Sequence, residues 1–305
     1  MALMNKQFIR NIPSLTKNEQ EQLADRHVLV AGCGGLGGYA IEYLTRLGIG
    51  KLTVADNDEF ETTNLNRQLL ATHDTLGKFK VFAAEARAKA INPNIAICPW
   101  HSRIDKNTAD TAIHGTDLVI DALDNAEDRL ILEEACARAE IPLIHGAVVG
   151  WLAQVMVVSP GSGSLRKLYA NNAYSKSKST LTVAPAFCAA IQVSEAIKIL
   201  CGRSSDLEDK VLAVDLERLE WRVGDPKEQL FEPRQIKITV KQQCNSKELE
   251  VFENTTIRQA LGTLLDIPRT SVLRNGISIT EAEAETAAVE NGDVFTIRRG
   301  IGVGG

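Results

Sequence analysis

The segment HVLVAGCGGLGGYAIEYLTRLG, residues 27–48, constrains this chain more than any other stretch. Its opening run HVLVA reads as a buried strand. After the glycines, Ala40, Ile41, Tyr43, Leu44 and Leu47 recur at helical spacing. A strand that passes through glycines directly into a helix is half of a βαβ unit, and it predicts a largely parallel sheet with covering helices. Gly32, Gly34, Gly35 and Gly37 form the turn. Missing side chains there let the backbone approach phosphates, and the helix N-terminus behind them stabilises negative charge. The same turn also occurs as a merely structural bend, so residues further along must decide what binds.

Those residues are charged or amide-bearing. The apolar run 52–55 ends in Asp56, placed to hydrogen-bond a ribose. NLNRQ supplies Asn64, Arg67 and Gln68, GKFK supplies Lys80, and DALDN supplies Asp124 and Asn125. Each alone reads equally well as a surface charge or a loop cap. Taken jointly they suit a triphosphate better than a dinucleotide. Hydride transfer asks for no cations beyond those on a diphosphate, whereas adenylation must neutralise three phosphates and hold Mg2+ during attack at the α-phosphorus. Arg67 and Lys80 suit the phosphates. Asp124, just after an apolar strand, lies where open sheets bind ligands and is the candidate metal ligand, with Asn125 fixing its loop.

The alternation continues with a helix over 80–90, strands at 95–99 and 117–121, a helix over 127–139 and a strand at 143–145. Residues 151–158 are strand-like. A Gly/Ser/Lys-rich stretch, 159–180, shows no period and has the length of a lid or crossover loop. A helix over 189–200 and a strand at 212–216 complete a first domain, 1–223. The charged segment 224–234 reads as a linker, and a 71-residue second domain follows at 235–305. There QIKITV and ELEVF are strands, TIRQALGTLL a helix, SVLRNGISI a paired strand region and DVFTIRR a last strand. This order fits a small β-grasp-like domain and a generic α+β domain alike. Its tail closes on Gly304 and Gly305, narrow enough to thread a channel and present a carboxylate.

Composition narrows the classes. With 44% hydrophobic and 24% charged residues the chain is neither disordered nor fibrous. Lys+Arg 34 against Asp+Glu 39 gives a net charge of −5, which argues against a nucleic-acid footprint. No apolar targeting segment opens the chain and no membrane partner is expected. The six cysteines are scattered without a CxxC pair, which predicts a cytoplasmic protein with no structural zinc. Cys188, in the apolar run PAFCAAIQV, is read as a buried cysteine in preference to a nucleophile.

In their order, GxGGLG, VADNDEF, NLNRQ, GKFK, INPNI, DALDN and SEAIKIL resemble the MoeB/ThiF/HesA family, bacterial relatives of ubiquitin-activating enzymes, over most of residues 8–223. The resemblance implies that Asp56 binds the ATP ribose, that Asn64, Arg67 and Lys80 hold the phosphates, and that Asp124 coordinates Mg2+. Arg10, in FIRN, looks like the family's arginine that reaches the partner subunit's ATP site, which implies a homodimer. The second domain resembles the MoaD/ThiS sulfur carriers, which share a β-grasp, ubiquitin-like fold and a terminal Gly-Gly. The two halves together look like an activating enzyme fused to its own substrate. The Gly305 carboxylate, its own or the partner subunit's, is then adenylated, a persulfide or sulfide donor makes the thiocarboxylate, and a downstream enzyme of thiamine or molybdenum-cofactor synthesis uses it. One departure stands out: many family members carry paired cysteines around the long loop, and residues 159–183 contain none.

Two other readings compete. A catalytically reduced dimeric scaffold or carrier-delivery protein would explain the missing cysteines. An NAD-dependent oxidoreductase would explain the glycine turn while leaving Arg67, Lys80 and the diglycine without a use.

Overall fold

The structure is a computed structural model that describes residues 6–171, 180–228, 230, 235–242, 245–252, 255–265 and 270–299. The chain divides into two compact units, Met1–Leu230 and Phe231–Gly305.

The first unit opens with a 3-10 turn, Lys6–Asn11, and helix α1, Lys17–Asp25. The sequence reading saw only a polar lead there. The start signal is a capping box: Thr16 Oγ1 accepts the Glu19 amide while the Glu19 carboxylate accepts the Thr16 amide. Then follow β1 (His27–Ala31), α2 (Gly35–Leu47), β2 (Lys51–Ala55), α3 (Lys80–Ile91), β3 (Ala96–Trp100), α4 (Ala109–Ala112), β4 (Leu118–Asp121), α5 (Ala126–Ala139) and β5 (Leu143–Val149). β6 (Leu152–Val158), α6 (Ser164–Asn171), α7 (Val183–Leu200), β7 (Val211–Asp215) and β8 (Glu220–Gly224) complete the unit.

These strands make one eight-stranded sheet ordered β3-β2-β1-β4-β5-β6-β7-β8. The first five are parallel, and β6, β7 and β8 continue antiparallel. Alternate residues of β1 face opposite cores. Val28 and Val30 pack with α2, α3 and α7, while Leu29 and Ala31 pack with α4, α5 and α6. Burial on both faces is what makes these strands read as unbroken apolar runs. α7, apolar enough along its 18 residues to meet the composition of a membrane span, packs here against α2, β5 and β6.

Besides α1, the short helix α4 and three later features correct the sequence reading. The stretch expected to lack periodicity contains α6, whose first-turn amides Leu165 and Arg166 are accepted by the buried Glu133 carboxylate of α5 at 2.8 and 3.2 Å. That cap comes from another helix and leaves no local signal. α7 starts at Val183, ahead of the expected 189, because Pro185 is tolerated within a first turn. β8 was not anticipated, since four of its five residues are exposed. Residues 172–179 and the expected linker positions 229 and 231–234 lie outside the described residues.

The second unit is a five-stranded mixed sheet, ordered β10-β9-β13-β11-β12. Its elements are β9 (Gln235–Gln242), β10 (Asn245–Phe252), α8 (Ile257–Leu261), β11 (Thr270–Arg274), β12 (Ile277–Ser278), α9 (Glu281–Thr286) and β13 (Val294–Arg299). β9 and β13 run parallel at its centre, and the other pairings are antiparallel. Ile236, Ile238 and Val240 alternate into a core with Ile257, Leu261, Phe295 and Ile297. Asn275 and Gly276, both at positive φ, form the two-residue turn between β11 and β12. Capping boxes at Thr256/Gln259 and Thr280/Glu283 start its two helices. Gly300 to Gly305 lie outside the described residues, so the diglycine reading has no structural counterpart.

Candidate active site

A cavity of about 790 Å3 opens beyond the carboxyl ends of β1, β2, β3 and β4, where β1's neighbours β2 and β4 lead to opposite sides of the sheet. Open α/β sheets bind ligands at this switch point. Gly32, Gly34, Gly35, Asp56, Arg67, Gln68, Lys80, Asp124 and Asn125, nine residues singled out in the sequence, all border it.

The glycines divide into two groups. Gly32 sits at φ +96°, with its amide bonded to Ala55 O, and a Cβ there would lie 2.5 Å from Ala122 O. At Gly37 a Cβ would lie 1.7 Å from Gly32 O. These two hold the turn and the helix tight against the strands. A Cβ at Gly35, at the start of α2, would make only an ordinary contact, 3.6 Å from Pro185 Cβ, and Gly35 borders the cavity. The N-cap Gly34 brings no side-chain bond, which leaves the first-turn amides of α2 available to an anion.

Asp56, at the end of β2, accepts the Cys33 amide at 2.7 Å on one oxygen and the Asp58 amide at 2.8 Å on the other. Burial pushes its carboxyl above the usual range, against the opposing pull of the Lys80 charge and these two amides. Lys80 begins α3. Its side chain is 8% exposed, and Nζ donates to Asp58 Oδ2 at 2.9 Å, using one of its three protons. Arg67 donates to Thr63 O and to Asn66 Oδ1, both at 2.9 Å. Gln68 is buried beside the glycine loop, and its Oε1 has no hydrogen-bond partner among the described residues.

Asp124 is exposed to the cavity on the loop after β4. Asn125 caps α5, accepting the Asp128 amide at 2.9 Å and donating to Asp128 Oδ2 at 2.8 Å. Beneath this loop lies a buried cluster. Asp121 Oδ1 accepts the Leu123 amide at 3.0 Å, its Oδ2 accepts from His145 Nδ1 at 2.7 Å, and Arg129 lies 3.7 Å away. Arg129 also donates to the carbonyls of Gly146 and Leu123. Burial opposes ionisation of Asp121, but Arg129, His145 and the Leu123 amide together outweigh it and hold the carboxyl below its usual range. Burial and Arg129 lower the His145 pKa against the pull of Asp121, leaving a neutral ring with its proton on Nδ1.

Four expected residues stand apart, the first being Gly37, which packs against Gly32 and does not border the cavity. Asn64 is buried outside the cavity lining, where its Oδ1 accepts the Glu61 amide at 3.0 Å and closes a 3-10 turn. Arg10 is exposed and does not border the cavity of its own chain. Gly305 lies outside the described residues. Sequence reading missed Asp58, Arg103, Asp128 and Arg129, all at the cavity. The acidic run DNDEF held a signal for Asp58. Arg103 with Asp128, and Arg129 with His145, are paired across 25 and 16 residues, a meeting that carries no local signal. Cys188 is fully buried, as expected, and burial pushes its thiol up to about 12.

Among the described residues no three metal-binding side chains converge. A Mg2+ ion held by one carboxylate, with phosphate oxygens and water completing its shell, fits an exposed cavity carboxylate such as Asp124.

Residues 7–232 match the ThiF family. The SAMP-activating enzyme E1 of Haloferax volcanii is 33% identical over 202 residues, covering 64% of this chain and 75% of that protein. The molybdopterin-synthase adenylyltransferase of Escherichia coli is 34% identical over 229 residues, covering 73% of this chain and 91% of that protein. Among solved structures, E. coli MccB bound to succinimide superimposes with a TM-score of 0.63 at 23% identity over 73% of this chain and 72% of that one, a likeness of fold. The adenylyltransferase relatives set aside the oxidoreductase and scaffold readings. The chain belongs to the ThiF family and is an ATP-dependent adenylyltransferase.

Proposed function

We propose that this enzyme adenylates the C-terminal glycine carboxylate of a ubiquitin-like sulfur carrier, and that the carrier is its own second unit, in cis or from a second copy. The observation that carries this reading is the second unit's sheet order, β10-β9-β13-β11-β12, with parallel central strands and α8 between β10 and β11. This order supports a β-grasp reading of the unit, as expected of a ubiquitin-like carrier, and Gly304 and Gly305 follow β13 in the sequence. Relatives named for molybdopterin synthase and for SAMP activation support a carrier of this kind.

In this reading Asp56 holds the ribose, the α2 amides with Arg67 and Lys80 hold the phosphates, and Arg10 reaches the cavity of a second copy in a cytoplasmic homodimer. A Gly305 carboxylate oxygen attacks the α-phosphorus, the bond to the β-phosphate bridging oxygen breaks, and pyrophosphate leaves. The carboxylate is ionised at neutral pH, so no general base is needed. The cations stabilise charge that grows in the transition state. Asp124 would hold Mg2+, which neutralises charge on the leaving pyrophosphate. Cys33, Cys136 and Cys188 are buried, and burial raises all three thiols, while the exposed Cys98 and half-buried Cys201 do not border the cavity. Thiolate is the reactive form. This favours an external sulfide, which displaces AMP and leaves a thiocarboxylate directly, or an external persulfide. The persulfide displaces AMP to give an acyl disulfide that a donor thiol then cleaves, leaving the thiocarboxylate and a disulfide. A downstream enzyme of sulfur-cofactor synthesis uses the product.

The test is ATP–pyrophosphate exchange by the intact chain and by one lacking Gly304 and Gly305. Exchange that disappears with the diglycine supports self-activation. Exchange that persists without it, or a requirement for a separate carrier, overturns the fused-substrate assignment.

A further inference from the structure

Arg103 and Asp128 belong to no role assigned above, yet both border the cavity. Arg103 follows β3, the outermost strand, while Asp128 sits in the first turn of α5, which follows β4. Two strands, β2 and β1, separate β3 from β4 in the sheet, so the Arg103–Asp128 pair spans the far rim of the cavity. It is a two-point contact: Nε donates to Oδ2 at 2.9 Å and Nη2 to Oδ1 at 2.8 Å. Asp128 is buried and is held in turn by Asn125. The guanidinium plane is therefore fixed, while the Arg103 side chain remains 57% exposed.

The cavity is chemically divided. On the side of α2 and α3 it carries the glycine amides, Arg67 and Lys80, which suit phosphates. Asp56, the ribose ligand, stands at the end of β2 between the two sides. The opposite side offers Arg103, buried Ile104 and half-buried Leu123. A nucleotide with its phosphates on α2, its Mg2+ on Asp124 and its ribose on Asp56 has its base left for Arg103, Ile104 and Leu123. Arg103 is a poor second phosphate ligand because a buried carboxylate already matches its charge at two points. A planar guanidinium with an open face stacks well on a heteroaromatic ring.

From this we infer that Arg103, held flat by Asp128, is the stacking platform for the nucleobase of ATP. The inference rests on ATP as the substrate. Stacking is tolerant of base identity, so ATP and GTP should lose affinity in parallel when Arg103 is removed.

The experiment measures binding of ATP, ribose 5-triphosphate and tripolyphosphate, each with Mg2+, to the full chain and to its Arg103→Ala and Arg103→Lys variants. Wild type should bind ATP about tenfold or more tightly than ribose 5-triphosphate. Arg103→Ala should weaken ATP about tenfold and leave tripolyphosphate within about twofold, and Arg103→Lys, which keeps charge without the plane, should resemble Ala. Unchanged ATP affinity in Arg103→Ala overturns the inference. So does a parallel loss of ATP and tripolyphosphate that Lys rescues, which would make Arg103 a phosphate ligand. If Arg103→Ala does not fold, the wild-type comparison decides alone, and equal affinity for ATP and ribose 5-triphosphate overturns the base site. Wild type that binds none of the three probes would instead overturn the nucleotide cavity itself.

Discussion

Lys80 Nζ lies 2.9 Å from Asp58 Oδ2, and the two ends of this ion pair live in different surroundings: the lysine side chain is 8% exposed and the carboxylate 60%. The pair keeps a buried ammonium neutralised at the cavity wall while leaving two of its protons for a ligand. Because the solvated Asp58 survives alone at little cost, the lysine can be removed without leaving a buried charge behind.

Lys80→Met should therefore separate chemistry from folding. Pyrophosphate exchange is expected to fall about 100-fold, the usual scale for losing one preorganised group on a developing charge. The melting temperature should move by no more than about 4 °C. A variant that melts far lower, or one that keeps its exchange rate, contradicts the assignment.

Two glycines separated by one residue should respond in opposite ways. Gly37→Ala places a methyl 1.7 Å from Gly32 O and should cost about 4 kcal/mol or more, seen as insoluble or unfolded protein. Gly35→Ala makes only an ordinary contact, 3.6 Å from Pro185, so it should fold normally; its methyl lies at the cavity border beside the phosphate-binding Arg67 and should cost about tenfold in ATP affinity. Calorimetric melting and ATP titration of both variants read this out.

His145 supplies a pH signature. Its folded pKa is lowered by burial, so below its unfolded value of about 6.5 the unfolded chain takes up a proton that the folded chain refuses. Stability from this residue is complete above that pH and declines as pH falls. His27, also lowered by burial, acts with the same sign. Thermal melts from pH 8 to 5 should show a falling midpoint in wild type and a shallower fall in His145→Gln. An unchanged slope in that variant would show that His145 does not drive the decline.

Glu133→Ala removes the carboxylate that accepts the Leu165 and Arg166 amides at the start of α6. A lost helix cap costs about 1 kcal/mol. Hydrogen exchange of α6 amides should accelerate while α7 keeps its protection. The guanidinium of Arg129 lies 5.9 Å from the ring centroid of Tyr169 on α6, so a slower exchange reaction with pyrophosphate is expected to accompany the loosening.

Elements were legible in the sequence where the signal was local and periodic. β1, the glycine turn and α2 follow from contiguous residues, and so do α5 and β9, whose burial alternates along the strand. α6 was not legible, because its cap is a side chain 32 residues away in α5. β8 was not legible either, because its pairing with β7 rests on backbone bonds and its side chains are exposed.

The site divides along the same line. The sequence by itself determined the glycine turn, the acid ending β2 and the cations near them, because steric limits and hydrophobic periodicity are written in neighbouring residues. Which charges meet was decided only by the tertiary structure. Lys80 and Asp58, Arg103 and Asp128, and Asp121 and His145 are 22, 25 and 24 residues apart. The order β3-β2-β1-β4-β5 brings those separate strand ends to one edge of the sheet. Electrostatic partnership depends on distance in space and on burial, and neither can be read from spacing along the chain.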